Sequence, residues 1–219
     1  MLHSIRGMTR TMNTQDPLSD SCRQEIGEAV SQLQEGGVVV FPTDTLYGLG
    51  ADVFDESALR RLFAVKGRPA DLALPVLVGD HEQAEMVAGR LPGLAEELAR
   101  RFWPGPLTLV VPKAPRLSNL VTGGRDTVAI RRPAHWVPLH LTVELGRPIT
   151  GTSANRSGGP DLLTLEEIEA QLSHLVDCIV RCGPAPQGIA STVVDVTTGA
   201  PRLLRQGAIP FEEVLRVCQ

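Results

Sequence analysis

Stretches with apolar residues at helical spacing alternate with short apolar runs along most of the chain, an alternation that predicts mixed α/β structure. Ile26, Ala29, Val30 and Leu33 mark one face of a helix beginning near Ser21, and Gly36-Gly37 ends it before the β-rich run 38–41. Asp55 is placed to cap a second helix that carries Leu59, Leu62 and Phe63 on one side and ends near Gly67. The apolar run 74–78 follows, then two short helices between residues 81 and 102, and strands over 107–111 and 127–131. Further on, 135–145 reads as helix and 148–152 as extended chain, while Thr164 and Glu167 form a capping-box pair that opens a helix with Leu165, Ile168 and Leu172. Strands over 178–180, 192–196 and 202–204 and a closing helix from Pro210 complete the pattern. Thr197-Thr198-Gly199 lies between two of these strands and predicts a hairpin, so the sheet must contain antiparallel pairs. No repeat period and no Pro/Gly/Ser linker divides the chain, which predicts a single α/β domain over 19–219. Residues 1–18 are polar and aperiodic and are expected to form a flexible N-terminal extension.

Composition narrows the class. The chain has 219 residues, 42% hydrophobic and 21% charged, which excludes collagen-like, coiled-coil and disordered chains and leaves room for a core without staples. The longest unbroken apolar run, Val38-Val39-Val40-Phe41, is far below the roughly 20 residues that cross a bilayer. No apolar segment of signal-peptide length stands at the N-terminus, and the expectation is a cytoplasmic protein with no membrane partner. A net charge of −4 and a pI near 5.7 exclude a generally basic nucleic-acid-coating protein but permit a local basic groove. Cys22, Cys178, Cys182 and Cys218 are scattered without a CxxC pair, so free buried thiols are expected. Of 21 basic residues only Lys66 and Lys113 are lysines, which draws attention to Lys66 as a place where a compact ammonium is needed.

Several catalytic motifs fail on inspection. Gly48-Leu49-Gly50-Ala51-Asp52-Val53 lacks the third glycine and the following helix of a dinucleotide fingerprint, and no GxxxxGK[ST] loop exists. Gly151-Thr152-Ser153-Ala154-Asn155 resembles a nucleophile elbow but ends in Asn155. His3, His81, His135, His140 and His174 stand in no triad context, and no HExxH or similar cluster points to a protein-held metal. Magnesium is expected only as the companion of a nucleotide.

What remains is a set of turn-rich segments at strand ends that carry hydroxyl and basic side chains. They are Pro42-Thr43-Asp44-Thr45-Leu46-Tyr47-Gly48-Leu49, Lys66-Gly67-Arg68-Pro69, Trp103-Pro104-Gly105-Pro106-Leu107-Thr108, Thr127-Val128-Ala129-Ile130-Arg131-Arg132-Pro133, Thr152-Ser153-Ala154-Asn155, and Ser191-Thr192-Val193-Val194-Asp195 with Arg205-Gln206-Gly207. Each alone reads as turn chemistry or capping. Together, in this order and spacing, they resemble the YrdC-like family of threonylcarbamoyl-AMP synthases, whose signature joins a TDTxYGL loop, a KxR motif and a later SxN motif. The likeness runs from about Gly36 to Gly207. Because the chain ends at Gln219, it resembles the family's short, single-domain form.

The resemblance implies an open twisted sheet, mixed parallel and antiparallel, with helices around a deep concave groove. It also implies a reaction: L-threonine, bicarbonate and ATP, with Mg2+, yield threonylcarbamoyl-AMP and pyrophosphate, the intermediate then passing to a tRNA-modifying transferase complex. Such chemistry needs reactants held together, water excluded and phosphate charge neutralised, and it needs no covalent nucleophile. Carried over by position, Lys66 and Arg68 are the expected catalytic pair, facing bicarbonate and the phosphates. Thr45, Arg131, Gly151 and Ser191 are expected to bind L-threonine, with Tyr47 shaping the wall. Thr127, Ser153, Asn155 and Arg205, with Lys66 and Arg68, are expected to bind ATP. Thr127 and Arg131 share one strand face by alternation, which suits a common cleft. Asp195, more than Asp44, fits a structural role. One departure stands out: Leu72-Ala73 occupy places where the family has a polar residue and a proline, so a polar ATP contact is expected to be missing at Leu72. The competing expectation is a non-catalytic RNA-binding or regulatory module with affinity for double-stranded RNA; with two Trp, one Tyr and five Phe it would lean on shape and phosphate contacts rather than stacking. A carbamoyltransferase-type chain would need zinc-finger and acylphosphatase-like segments, and neither is in the sequence.

Overall fold

A computed structural model describes residues 18–218. The extension expected over residues 1–17 lies outside the described residues; Leu18, expected as its end, is buried against the second core cluster.

Helix α1 (Asp20–Gln34) starts where Ser19 accepts a hydrogen bond from the Cys22 amide, and it buries Cys22, Ile26, Ala29, Val30 and Leu33. It leads into β1 (Val39–Phe41), the loop carrying Thr43 to Tyr47, and β2 (Gly48–Gly50). Helix α2 (Glu56–Lys66) is capped by the Asp55 carboxylate, which accepts from the Ser57 and Ala58 amides, and ends at left-handed Gly67. After β3 (Val76–Leu77) come α3 (His81–Ala88) and α4 (Gly93–Phe102), then β4 (Leu107–Pro112), the short α5 (Asn119–Thr122) and β5 (Thr127–Arg131). Helix α6 (Trp136–Leu145) precedes β6 (Ile149–Thr150) and β7 (Thr152–Ser153). Helix α7 (Leu165–Leu172) opens with the expected Thr164/Glu167 capping box. Strands β8 (Cys178–Ile179), β9 (Thr192–Asp195) and β10 (Arg202–Arg205) and helix α8 (Phe211–Val217) close the chain.

The strands form mixed sheets, as the sequence predicts, but divide between two. A four-stranded sheet has the order β7-β2-β1-β8 and a six-stranded sheet the order β10-β9-β4-β5-β3-β6. In the larger sheet β4 pairs antiparallel with β5 and parallel with β9, while β9 and β10 form the expected antiparallel hairpin. The sheets meet where β6 and β7 are separated only by Gly151: the Thr150 amide donates to the Ala51 carbonyl at 2.9 Å, joining the end of one sheet to the other. Apolar side chains from both sheets and from α2, α3, α4, α7 and α8 make the main core, and a second cluster lies between α1 and α6.

The expectation of four free thiols is corrected. Cys22 on α1 and Cys182 just past β8 form a disulfide with Cα atoms 5.6 Å apart, while Cys178 and Cys218 are free. The pair is invisible in one dimension because 160 residues separate its members; it exists because α1 packs beside β8. The Glu25 carboxylate reinforces the junction, accepting from the Arg181 and Cys182 amides at 2.7 and 3.0 Å. Replacing both Cys22 and Cys182 by serine is expected to lower stability by up to about 5 kcal/mol, the loop-closure limit for a separation of 160 residues. Denaturant midpoints with and without reductant measure it. An unchanged midpoint would mean that the cross-link does not restrain the unfolded chain.

Candidate active site

The β1–β2 loop builds one wall of a cavity by local turn chemistry. Thr43 accepts from the Thr45 and Leu46 amides at 3.1 and 3.3 Å and donates to the Leu46 carbonyl at 2.7 Å, so its hydroxyl replaces a regular backbone turn. This leaves Thr45, 5% exposed, with its hydroxyl turned toward the end of β5. There the Arg131 guanidinium donates to Asp44 Oδ1 at 2.7 Å, to Thr45 at 3.1 Å and to Thr43 at 3.5 Å. The Arg131 and Asp44 side chains are only 6% and 7% exposed, and Asp44 Oδ2 has no hydrogen-bond partner. Burial pushes the Arg131 pKa down and Asp44 opposes the shift; the guanidinium stays charged regardless.

The opposite wall comes from the β9–β10 hairpin and β4. Ser191 and Thr108 share a hydrogen bond of 2.8 Å, and Arg205 donates twice to the Ser191 carbonyl, at 2.9 and 3.2 Å, and once to its hydroxyl. The Arg205 pKa is lowered by desolvation first and then by Arg131, with Asp161 opposing both. Arg68, past the α2 cap, donates to the Ala73 carbonyl at 2.8 Å and keeps a buried, unpartnered Nε. Gly151 forms part of the floor, and its side-chain-free Cα is required: a Cβ would lie 2.3 Å from Leu77 Cγ.

These residues converge. Thr45, Arg68, Arg131, Gly151, Ser153, Ser191 and Arg205 all line one cavity of about 280 Å3. Thr43, Thr108 and Asp161 line it too, although the sequence singled out no role for them. Thr43 and Thr108 sat inside segments already noted for their hydroxyls. Asp161 carried no signal, lying outside every one of those segments.

Three expected contacts are placed differently. Lys66 is not at the cavity surface but behind Ser153, 3% exposed, where its ammonium donates to the Ser153 carbonyl at 2.5 Å, the Asn155 carbonyl at 2.8 Å and Asn155 Oδ1 at 3.2 Å. All three donors are thus satisfied, which is what allows a lysine at a helix end to be buried. Desolvation, with Arg68 nearby, lowers its pKa to about 8 against the pull of Asp161. Asn155 also sits behind the surface, accepting from the Ser153 hydroxyl at 2.7 Å and donating to the Gly159 carbonyl at 2.7 Å. Thr127 shares a strand face with Ala129 and Arg131, as alternation requires, but only those two reach the cavity; Thr127 lies two strand steps out. Leu72, the departure noted in the sequence, is 38% exposed and outside the lining, whereas Ala73 contributes to it. Asp195 is structural as expected: it accepts from Thr197 and pairs with Arg202 at 2.7 Å. His135 is also structural, accepting from the Val137 amide to cap α6 while facing the Pro184 carbonyl.

Fold and cavity together define a mixed α/β protein with a pocket lined by guanidinium and hydroxyl groups. The family Sua5_yciO_yrdC, described as "Telomere recombination", matches residues 31–207, and the chain belongs to this family. A threonylcarbamoyl-AMP synthase of Pyrococcus abyssi is 43% identical over 210 residues, a stretch covering 96% of this chain and 61% of that protein. A relative from Mycobacterium leprae is 40% identical over 210 residues and is covered over 94% of its length. The solved structure of P. abyssi Sua5 complexed with L-threonine superposes with a TM-score of 0.84 at 45% identity, over 88% of this chain and 56% of that one. The chain therefore spans under two thirds of the P. abyssi protein and nearly all of the mycobacterial one.

No helix among the described residues is long and apolar enough to cross a membrane. Nor is there, among those residues, a group of three or more His, Cys, Asp or Glu side chains able to hold a metal ion.

Proposed function

We propose that the protein is an L-threonylcarbamoyladenylate synthase, a cytoplasmic nucleotidyltransferase that joins L-threonine, bicarbonate and ATP. The observation that carries this reading is the convergence of Thr45, Arg131 and Ser191 with Arg68 and Arg205 on one cavity. Its 280 Å3 lie at the small end of ligand pockets, enough for an amino acid and the carbamate built on it. A nucleotide, larger than this volume, would then extend outward from the cavity beside Ser153.

The Arg131 N–H groups not taken by Asp44, Thr45 and Thr43, together with the Thr45 hydroxyl, receive the threonine carboxylate. Ser191, fixed by Thr108 and Arg205, meets the amino-acid side. Asp44 is a positioning residue, since it acts by aiming Arg131. The threonine nitrogen combines with bicarbonate to give a carbamate and water; a carbamate oxygen then attacks the α-phosphorus. The α–β P–O bond breaks and its electron pair leaves on pyrophosphate. Arg68 and Arg205 neutralise the charge that moves outward onto the leaving group. Lys66 acts through the loop it fastens, holding Ser153 in place. Magnesium fits as the nucleotide's companion: Asp161 is a hard oxygen donor at the cavity, and the ion would supply further charge neutralisation on the phosphates. Downstream, a tRNA-modifying transferase consumes the product.

The test is pyrophosphate release. It is expected to require ATP, L-threonine and bicarbonate together, and serine should replace threonine poorly because the pocket wall near Ala129, Ala190 and Val193 is apolar. ATP turnover indifferent to threonine argues against the synthase. Salt-sensitive binding of double-stranded RNA without any pyrophosphate release would instead favour the non-catalytic module.

A further inference from the structure

A cavity built for anions contains one conspicuous exception. Among the described residues that line it, Asp161 is the only carboxylate, and it shares the lining with Arg68, Arg131 and Arg205. It sits on the exposed stretch between Asn155 and α7, which is not loose at its base: the Ser157 amide donates to the Lys66 carbonyl at 2.8 Å, the Gly159 amide to the Arg156 carbonyl at 2.9 Å, and Asn155 to the Gly159 carbonyl. Yet the Asp161 carboxylate itself forms no hydrogen bond or ion pair among the described residues, although its charge supports the cationic forms of both Lys66 and Arg205.

A carboxylate serving only as counter-ion would be expected to close onto one of these cations; Asp44 does so with Arg131 at 2.7 Å. Arg205 instead gives three hydrogen bonds to Ser191, and Arg68 gives one to Ala73 and keeps its Nε unpartnered, so neither closes onto Asp161. Asp161 is left as a free hard-oxygen donor at the mouth through which a triphosphate must pass. Bare triphosphate would meet repulsion from it. A divalent cation riding on the phosphates turns the same contact into attraction, and magnesium is characteristically held by one or two carboxylates plus substrate phosphates rather than by a protein cage. That shared mode asks for a single protein carboxylate, which is what the lining offers.

We propose that Asp161 is the protein's ligand, direct or through a coordinated water, for the divalent cation carried by the nucleotide, and that it makes the site select metal-complexed over free triphosphate. This rests on the synthase reading and adds to it the form in which the nucleotide enters. The metal-bound phosphates then lie at the mouth, on the side where pyrophosphate departs.

Binding of α,β-methylene-ATP, which cannot break at the α–β position, tests the idea by calorimetry with L-threonine present, once with Mg2+ and once with EDTA. In the wild-type protein Mg2+ is expected to tighten binding about 10- to 100-fold, and in Asp161→Asn this gain should largely vanish because the metal-free analogue binds better than before. A second readout is Mn2+ bound to the protein–analogue complex, followed by electron paramagnetic resonance; its dissociation constant should rise about tenfold or more in Asp161→Asn and recover in part in Asp161→Glu. Thermal melts of the variants verify folding, and Asp161→Ser serves as a second neutral replacement. A metal effect of the same size in wild type, Asp161→Asn and Asp161→Ser overturns the inference while leaving the synthase reading standing. A wild-type protein that binds the analogue under neither condition overturns both.

Discussion

Arg131→Ala is expected to lower the unfolding free energy by about 3–5 kcal/mol, because it strips the partner from a buried carboxylate. Asp44 takes its one strong hydrogen bond from Arg131 and has nothing on Oδ2. Both side chains are almost fully removed from water, so solvent cannot replace what is lost. Urea denaturation at neutral pH reads the effect directly. A loss below about 1 kcal/mol, the level of an exposed pair, would show that this ion pair is not desolvated as described. The double variant Arg131→Met with Asp44→Leu should recover most of the stability, since two apolar groups often replace a buried pair at little cost. Threonine binding should stay absent in it, because the guanidinium that receives the carboxylate is gone. Renewed threonine affinity in the double variant would move carboxylate recognition away from Arg131.

Lys66→Met is expected to reduce pyrophosphate formation about 100-fold, through position rather than direct contact. The ammonium ties together the Ser153 carbonyl, the Asn155 carbonyl and the Asn155 side chain, and a displacement of about 1 Å in a positioning element is enough to cost that factor. Lys66→Arg should not rescue, because a planar fork cannot serve three acceptors gathered around a point. The pH dependence carries a sharper signature. With its pKa at about 8 in the folded protein against 10.5 unperturbed, Lys66 loses its proton earlier in the folded state than in the unfolded one. Between those two values the unfolded chain binds more protons, so stability should rise with pH, while activity should fall as the loop loses its charged anchor. Both trends should be missing from Lys66→Met. Asp161 raises the Lys66 pKa, so Asp161→Asn should shift the alkaline fall in activity to lower pH. If the alkaline limb is the same in Lys66→Met as in the wild type, it belongs to another group.

The site was more legible than its wiring. Arg68, Arg131, Ser153, Ser191 and Arg205 were expected together from the order and spacing of their segments, and they line one cavity. Thr43, Thr108 and Asp161 received no role, because in one dimension a carboxylate or hydroxyl in a turn looks the same whether it caps a neighbour or faces a ligand. Strand β2 went unread for a related reason. Gly-Leu-Gly has no β-branched residue or alternation, and its glycines are there to let the Phe41 ring lie against the chain, where a Cβ on Gly48 or Gly50 would come within 2.7 and 2.5 Å of it. Four-residue α5 was too short to show a period.

The sequence by itself determined the local elements. Periodicity set α1 and α2, Asp55 and the Thr164/Glu167 pair set helix starts, and alternation put Thr127 and Arg131 on one strand face, because each of these depends on residues within a few positions of one another. Only the tertiary structure decided what those residues meet. Lys66 met the loop of Ser153 and Asn155, sequence separations of 87 and 89. Arg131 met Asp44 across 87 residues, and Cys22 met Cys182 across 160. Contacts of that range are set by the packing of whole sheets and helices, and no local interaction energy along the chain encodes which partner will arrive.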